Sequence, residues 1–389
     1  MICYLAKHFI KEYDRVEDPT VRQGYGIISG AVGIALNIIL VIIKFLAGTI
    51  SGSIAIISDA INNLSDVASS VVTLVGFKMS GAEADEEHPF GHGRLEYIAG
   101  LIVSLLIILM AFELLQSSID RIMNPSEVSF DLTVGIILIV SILIKFIMFL
   151  ANLRASKVIN SATLKSTAMD SISDVLSTGI VLVSLFIGSR LGFNVDGYAG
   201  IVVALFIAKT GIDSARDTIN PLLGEPPSKE FLKNIEDLVL SYEGPIGVHD
   251  IIVHNYGPSR IIMSLHVEVP EFMSLVEVHD IIDRIEKDLR RMYHCTAVIH
   301  MDPVNDSDST TRELRRWLKL VLEEIDPKIK YHDFRISNND GKPTVSFDLE
   351  VPYKYEIKDE ELLEMVSERF GEMASEYELD ITIDKLFEE

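Results

Sequence analysis

The sequence is short of the residues that most enzymatic and nucleic-acid chemistry requires. Only two of its 389 residues are cysteine, Cys3 and Cys295. They have neither metal-ligand nor disulfide spacing, which fits a reducing cytosol. Basic residues are scarce, 34 Lys and Arg against 57 Asp and Glu, for a formal charge of −23. Nucleic-acid binding needs a basic face, so no nucleic-acid partner is expected. No nucleophile motif, glycine-rich phosphate loop or cofactor fingerprint appears, so neither an enzyme nor a required cofactor is expected. Without an ATP site, any transport must be driven by an ion gradient. The first 23 residues are polar and amphipathic with no small-residue cleavage site, so no signal peptide is expected.

What the chain does have is long apolar runs. Its mean hydropathy is positive, too apolar for a soluble enzyme, yet it is too charged to lie in a membrane throughout. Most of the acidic excess follows Gly224, which predicts a membrane domain and then a soluble acidic part. Hydropathy predicts six spans, roughly residues 26–50, 53–77, 97–119, 132–155, 159–187 and 193–212. The first two are joined only by Ser51-Gly52, a tight hairpin. Lys7, Lys11, Arg15, Arg22, Lys78, Arg94, Arg154, Lys157 and Lys165 fall on one side, and little beyond Arg121 and Arg190 on the other. The positive-inside rule therefore puts both termini and the soluble part in the cytoplasm of a multi-pass plasma-membrane protein.

The soluble part reads as helix, strand, strand, helix, strand, a small α+β module, and then repeats that order. His249-Asp250 returns as His332-Asp333, Glu268-Val269-Pro270 as Glu350-Val351-Pro352, and Asp302 as Asp384, a period of roughly 82 residues. The predicted plan is a transport domain at 1–220, a cytoplasmic domain at 221–304 and its repeat at 305–389.

Candidate chemistry begins with polar residues inside apolar spans. Asn62 and Asp66 are four apart and share a helix face, as do Asp170 and Asp174. On two membrane helices, such pairs are expected to converge on one oxygen-lined site. Oxygen donors suit hard divalent cations such as Mn²⁺, Mg²⁺ or Ca²⁺, whereas zinc favours His and Cys. The competing reading is hydrogen bonding between helices, which stays open for Asn62. It is disfavoured for three buried carboxylates, because the spans offer few cations to pair with them. Asp59 either lines an exit path or satisfies a helix end. In the loop after the second span, Asp85, His88 and His92 have metal-ligand spacing. An interfacial loop with capping histidines fits that spacing equally well. The soluble module carries His249, His254, His266, His279, His300 and Asp302, and strand alternation lets His266 and His300 meet on one sheet face. So many histidines in one small module favour metal binding. The repeated positions, His332, Asp348, Glu361, Thr382 and Asp384, are mostly acidic: the set either binds a harder ion weakly or is a solvated face, and the second reading is favoured.

These motifs resemble the cation diffusion facilitator family. Ser51-Gly52-Ser53-Ile54-Ala55 running into Ser58-Asp59-Ala60 is similar to its second-span signature. His88-Pro89-Phe90-Gly91-His92-Gly93-Arg94-Leu95-Glu96 is similar to its loop motif, and Asp174-Val175 with Asp170 to its fifth span. The resemblance covers roughly residues 24–303. It implies a membrane α-helical protein of six transmembrane helices followed by tandem cytoplasmic α+β, ferredoxin-like domains, acting as a homodimeric metal/H⁺ antiporter. It assigns Asn62, Asp66, Asp170 and Asp174 to the transport site and Asp85, His88 and His92 to a loop site. His249, His266, His279, His300 and Asp302 match a cytoplasmic site for a regulatory Zn²⁺ or Mn²⁺. Asn in the second span with Asp elsewhere is the pattern of manganese exporters, and the cytoplasmic histidines are a mismatch to it. A Zn²⁺, Fe²⁺ or Co²⁺ exporter is the alternative within the family. From other classes, a membrane-anchored metal sensor and a metal-dependent membrane hydrolase are the rivals. An anchor needs no buried carboxylates, and a hydrolase needs a general base that is not evident. Residues 306–389 depart from the family plan.

Overall fold

The computed structural model describes residues 1–16, 18–51, 54–124, 132–191, 196–258, 260–305, 308–339 and 342–386. The chain divides into two units. One holds residues 1–225 with the turn at 255–260, and the other holds 226–254 and 261–389.

The first unit is helical. A short amphipathic helix, α1 (Ile2–Phe9), precedes six long ones: α2 (Pro19–Ser51), α3 (Ile54–Ser80), α4 (Leu95–Met123), α5 (Leu132–Val158), α6 (Ala162–Leu191) and α7 (Asp196–Leu223). Helix α2 packs on α3, α4 on α7 and α5 on α6. Small residues permit the close approach. A Cβ at Gly30 would stand 2.5 Å from that of Leu74, and one at Gly33 2.6 Å from the Ser70 hydroxyl, so α2 meets α3 through its glycines. Large apolar side chains such as Ile42, Leu109, Phe112, Leu143, Ile147 and Leu205 point outward, as a bilayer-facing surface requires. The buried positions instead hold many small polar residues, among them Ser69, Thr73, Ser104, Ser166 and Thr167.

Six spans are expected from hydropathy. Among the described residues, four helices are long and apolar enough to cross a membrane: Pro19–Leu46, Leu95–Met123, Gly135–Val158 and Gly197–Leu223. Helices α3 and α6, of 27 and 30 residues, have the length. They also carry the polar islands, which lower their apolarity. The predicted start of the fifth span moves from 159 to Ala162, because Asn160 takes a left-handed φ of 46° and breaks the chain there. The Ser51-Gly52 hairpin falls largely outside the described residues.

The second unit has two similar halves. In the first, α8 (Lys229–Leu240) and α9 (Leu275–Tyr293) accompany a sheet of order β1-β2-β3 (Gly247–Asn255, Ile261–Pro270, Cys295–Val304). In the second, α10 (Ser309–Ile325) and α11 (Asp359–Gly371) accompany β4-β5-β6 (Lys330–Asn339, Lys342–Pro352, Glu378–Leu386). β2 pairs with β3, and β5 with β6, in parallel. Alternation sorts the strand residues. Met263, Leu265, Val267 and Val269 bury against Ile235, Val239 and Ile285, leaving Ser264, His266 and Glu268 for the other face. Val345, Phe347, Leu349 and Val351 do the same against Leu318, Val366 and Phe370. Both halves even share a backbone irregularity. Asp250 and Asp333, one residue after the paired histidines, have φ of 51° and 50°. That left-handed conformation is uncommon outside glycine, and Asp tolerates it better than most residues.

Candidate functional site

Three helices build the intramembrane cluster. Asp66 comes from α3, and Asp170 and Asp174 from successive turns of α6, all buried, with one carboxylate oxygen from each within 4.8 Å of the others. The side chains of Asn62 and Asp59 lie outside the described residues. The spans are expected to offer few counter-cations, and among the described residues the structure brings one to these acids. Lys145, buried on α5, places Nζ 2.7 Å from Asp66 Oδ2 and 2.5 Å from Asp174 Oδ2. It was missed because nothing in the spacing of an apolar helix tells whether a lone lysine turns inward. Further donors complete the surroundings. The Asn63 amide donates to Asp66 Oδ2 at 3.0 Å, and the Ser69 hydroxyl to Asp170 Oδ2 at 3.0 Å. Lys44 from α2, also buried, donates to the Asn63 carbonyl oxygen. Among the described residues, three ionised carboxylates face one ammonium, an excess of two negative charges that equals the charge of one divalent cation. Oxygen donors at this spacing match a hard divalent ion.

A second buried charge pair went unread in the sequence. Arg22 of α2 and Glu96 of α4 form a two-pronged pair at 3.0 and 2.8 Å. Arg22 also donates to the Ile159 and Asn160 carbonyls, and Ser161 Oγ to Glu96 at 2.6 Å. This ties α2 and α4 to the turn between α5 and α6. Two-pronged Arg–carboxylate geometry gives such a tie its direction.

In the loop before α4, Asp85, His88 and His92 come within 4.8 Å at their donor atoms. Gly91, at φ 79°, turns the chain so that the two rings lie 4.6 Å apart. Asp85 Oδ1 accepts from the His88 backbone N–H at 2.6 Å. That bond is the main cause holding the Asp85 carboxyl below its ordinary value. His92 Nδ1 stands 3.1 Å from the Glu83 carbonyl oxygen, the kind of bond that orients a ligating ring.

In the first half of the second unit, the parallel register sets His266 opposite His300, with rings 4.7 Å apart. Asp302 lies among three imidazoles, 2.9 Å from His266 Nδ1, 3.3 Å from His300 Nε2 and 3.4 Å from His249 Nε2. Burial opposes the charge on His249, but the carboxylates of Asp250 and Asp302 outweigh it and push the ring up to about 10. Burial works against Asp302 too, yet His249, His266 and His300 hold it below its usual range. His279 does not join this cluster. It lies exposed on α9, close enough to Asp283 to help lower that carboxyl, because helix periodicity aims it away from the sheet. His254 is likewise exposed.

The repeated set is corrected as well. It reads as a solvated face, but His332 is only 7% exposed, and it converges with Asp348 and Asp384. Glu361 and Thr382 stay outside, exposed on α11 and β6.

Comparison with known proteins agrees with this division. Residues 31–223 match the family model for the cation efflux transmembrane domain, and 227–304 that for the cation efflux protein cytoplasmic domain. An uncharacterized transporter of Methanocaldococcus jannaschii is 36% identical over 270 residues, 69% of this chain and 95% of the relative. Cation-efflux pumps named FieF from Salmonella paratyphi A and Escherichia coli are 27% identical over 288 residues, 73% of this chain and 95% of each relative. These matches fall on the helices that carry Asp66, Asp170 and Asp174 and on the half that carries His249 and Asp302. The chain therefore belongs to the cation diffusion facilitator, or cation-efflux, family: it is a membrane transporter of divalent metal cations and not an enzyme.

Proposed function

We propose that the chain exports divalent metal from the cytoplasm in exchange for protons, with Mn²⁺ preferred over Zn²⁺, Fe²⁺ and Co²⁺. The observation that carries this reading is the buried triad of Asp66, Asp170 and Asp174 on two helices. Asn62 lies one turn before Asp66 and is proposed as the fourth ligand. An all-oxygen set favours Mn²⁺, whereas a histidine in it would favour Zn²⁺. The alternative, that the three acids only form an ion-pair network with Lys145, leaves two carboxylate charges unmatched in a low-dielectric interior.

In this mechanism the metal binds between α3 and α6, and rocking of the helices exposes it to the far side. Two protons carry the same charge as the metal, so their exchange at the triad leaves its electrostatic balance unchanged. Six helices cross the plasma membrane, both termini are cytoplasmic, and the working unit is a homodimer, a reading supported by the match to the cytoplasmic domain family. Asp85, His88 and His92 are proposed to hold metal at the loop. His249, His266, His300 and Asp302 are proposed to hold regulatory metal in the cytoplasmic domain.

Competition flux in reconstituted vesicles tests the ion. With an imposed pH gradient, excess unlabelled Mn²⁺ is expected to suppress labelled Mn²⁺ movement more strongly than equal Zn²⁺, Fe²⁺ or Co²⁺. Stronger suppression by Zn²⁺ would overturn the selectivity.

A further inference from the structure

The two halves of the soluble unit meet through their ligand-bearing sheet faces, and the meeting is reciprocal. His249 and His332 are equivalent positions of the repeat, and their rings stack at 4.2 Å between centroids. Contact between equivalent residues is the mark of a two-fold interface, formed here within one chain. The aspartates that follow them cross over. Asp250 of the first half lies 3.8 Å from His332 Nε2 and is among the charges that raise the Asp384 carboxyl, after burial. Asp333 of the second half lies among the first half's charges. Burial raises its carboxyl and Asp302 adds to that, with Arg335 and His249 opposing.

The second half offers donors of its own. Strand pairing sets His332 opposite Asp348, and Asp384 opposite Glu350 two residues along the same face. His332, Asp348 and Asp384 present donor atoms within 4.8 Å of one another, and so do His249, Asp250 and His332. His332 Nε2 stands 3.3 Å from Asp384 Oδ2. Yet neither ring nitrogen of this buried histidine makes a hydrogen bond among the described residues. A buried imidazole with no hydrogen bond, aimed at carboxylates that outnumber the local cations, asks for a positive ligand.

We propose that the tail half binds a divalent cation at His332, Asp348 and Asp384, and that Asp250 from the first half completes the site. One imidazole among three carboxylates makes a harder donor set than the three imidazoles and one carboxylate of the first cluster. The tail site therefore prefers Mn²⁺, and the first cluster suits Zn²⁺. His249 borders both, so filling one site alters the other. The duplicated half thus supplies a second cation site of different hardness, locked across an internal two-fold. This holds whether or not Asp66 and Asp174 carry transport.

The test is equilibrium dialysis of the purified full chain against labelled Mn²⁺ after chelator treatment. His332→Gln and Asp384→Asn are each expected to bind one Mn²⁺ fewer per chain than the parent. Asp250→Asn, in the other half, is expected to weaken that same ion by about tenfold or more. His266→Gln is expected to leave it in place. Unchanged Mn²⁺ number and affinity in all three site variants would overturn the proposal. Should the variants fail to fold, crystals of the parent soaked in Mn²⁺ decide. An anomalous peak between His332 and Asp384 supports the site. Its absence at a concentration that fills the first cluster overturns it.

Discussion

The intramembrane triad and the soluble clusters use similar residues, but different groups offset their charge. In the transmembrane domain, Asp66 and Asp174 share one ammonium among the described residues, that of Lys145 on a third helix. In the soluble unit, carboxylates stand among imidazoles fixed on paired strands. A tethered cation and a passing one can compete for the same oxygens, which suits a site that must load and release. Imidazoles on a sheet with set register suit a site that holds its ion. Under the proposed function, the difference lets transport and retention be separated within this chain by what neutralises the acids.

The largest expected effect separates the two regions outright. Asp174→Ala should cut metal flux by about a hundredfold or more, since the loss of even an outer-shell partner costs 10- to 100-fold. Mn²⁺ binding by the soluble unit, followed by dialysis, should not change. Next comes Lys145→Gln. Removing the positive charge that competes for the Asp66 and Asp174 oxygens should tighten intramembrane binding by about tenfold or more. Turnover should fall because release becomes harder, and tracer binding and flux on the same vesicles measure both. A purely structural ion-pair role for Lys145 predicts instead an unstable protein with no gain in affinity.

Asn62→His should shift the Zn²⁺ to Mn²⁺ flux ratio by about tenfold toward Zn²⁺, through ligand softness. An unchanged ratio removes Asn62 as the selector. The smallest effect lies wholly in the soluble unit. Ser274 caps α9, accepting from the Glu277 N–H at 3.3 Å while Glu277 accepts from the Ser274 N–H at 3.0 Å. Ser274→Ala should cost about 1 kcal/mol of local stability. It should lower the melting of the soluble unit, read by circular dichroism, and leave flux unchanged.

Much of this architecture was legible in the residues. The ten elements of the second unit are readable from period and turn chemistry because their apolar faces repeat cleanly, as at Met263, Leu265 and Val267. The pairing of Asp66 with Asp170 and Asp174 was legible because acids in apolar runs are costly and rare. Lys145 was not, since a lone lysine on an apolar helix carries no sign of which way it turns. His279 looked like the other histidines until the helix turned it outward. His332 looked solvated because the acidity of its neighbours hid a tertiary contact with His249. No local pattern encodes such a contact.

The central claim rests on Asp66, Asp170 and Asp174 moving metal against protons. The direct measurement loads vesicles with buffer, imposes a pH gradient and follows Mn²⁺ and protons together, for the parent and for Asp66→Ala. The account predicts opposed Mn²⁺ and proton fluxes in the parent and neither in the variant. Mn²⁺ movement in Asp66→Ala equal to that of the parent would contradict it.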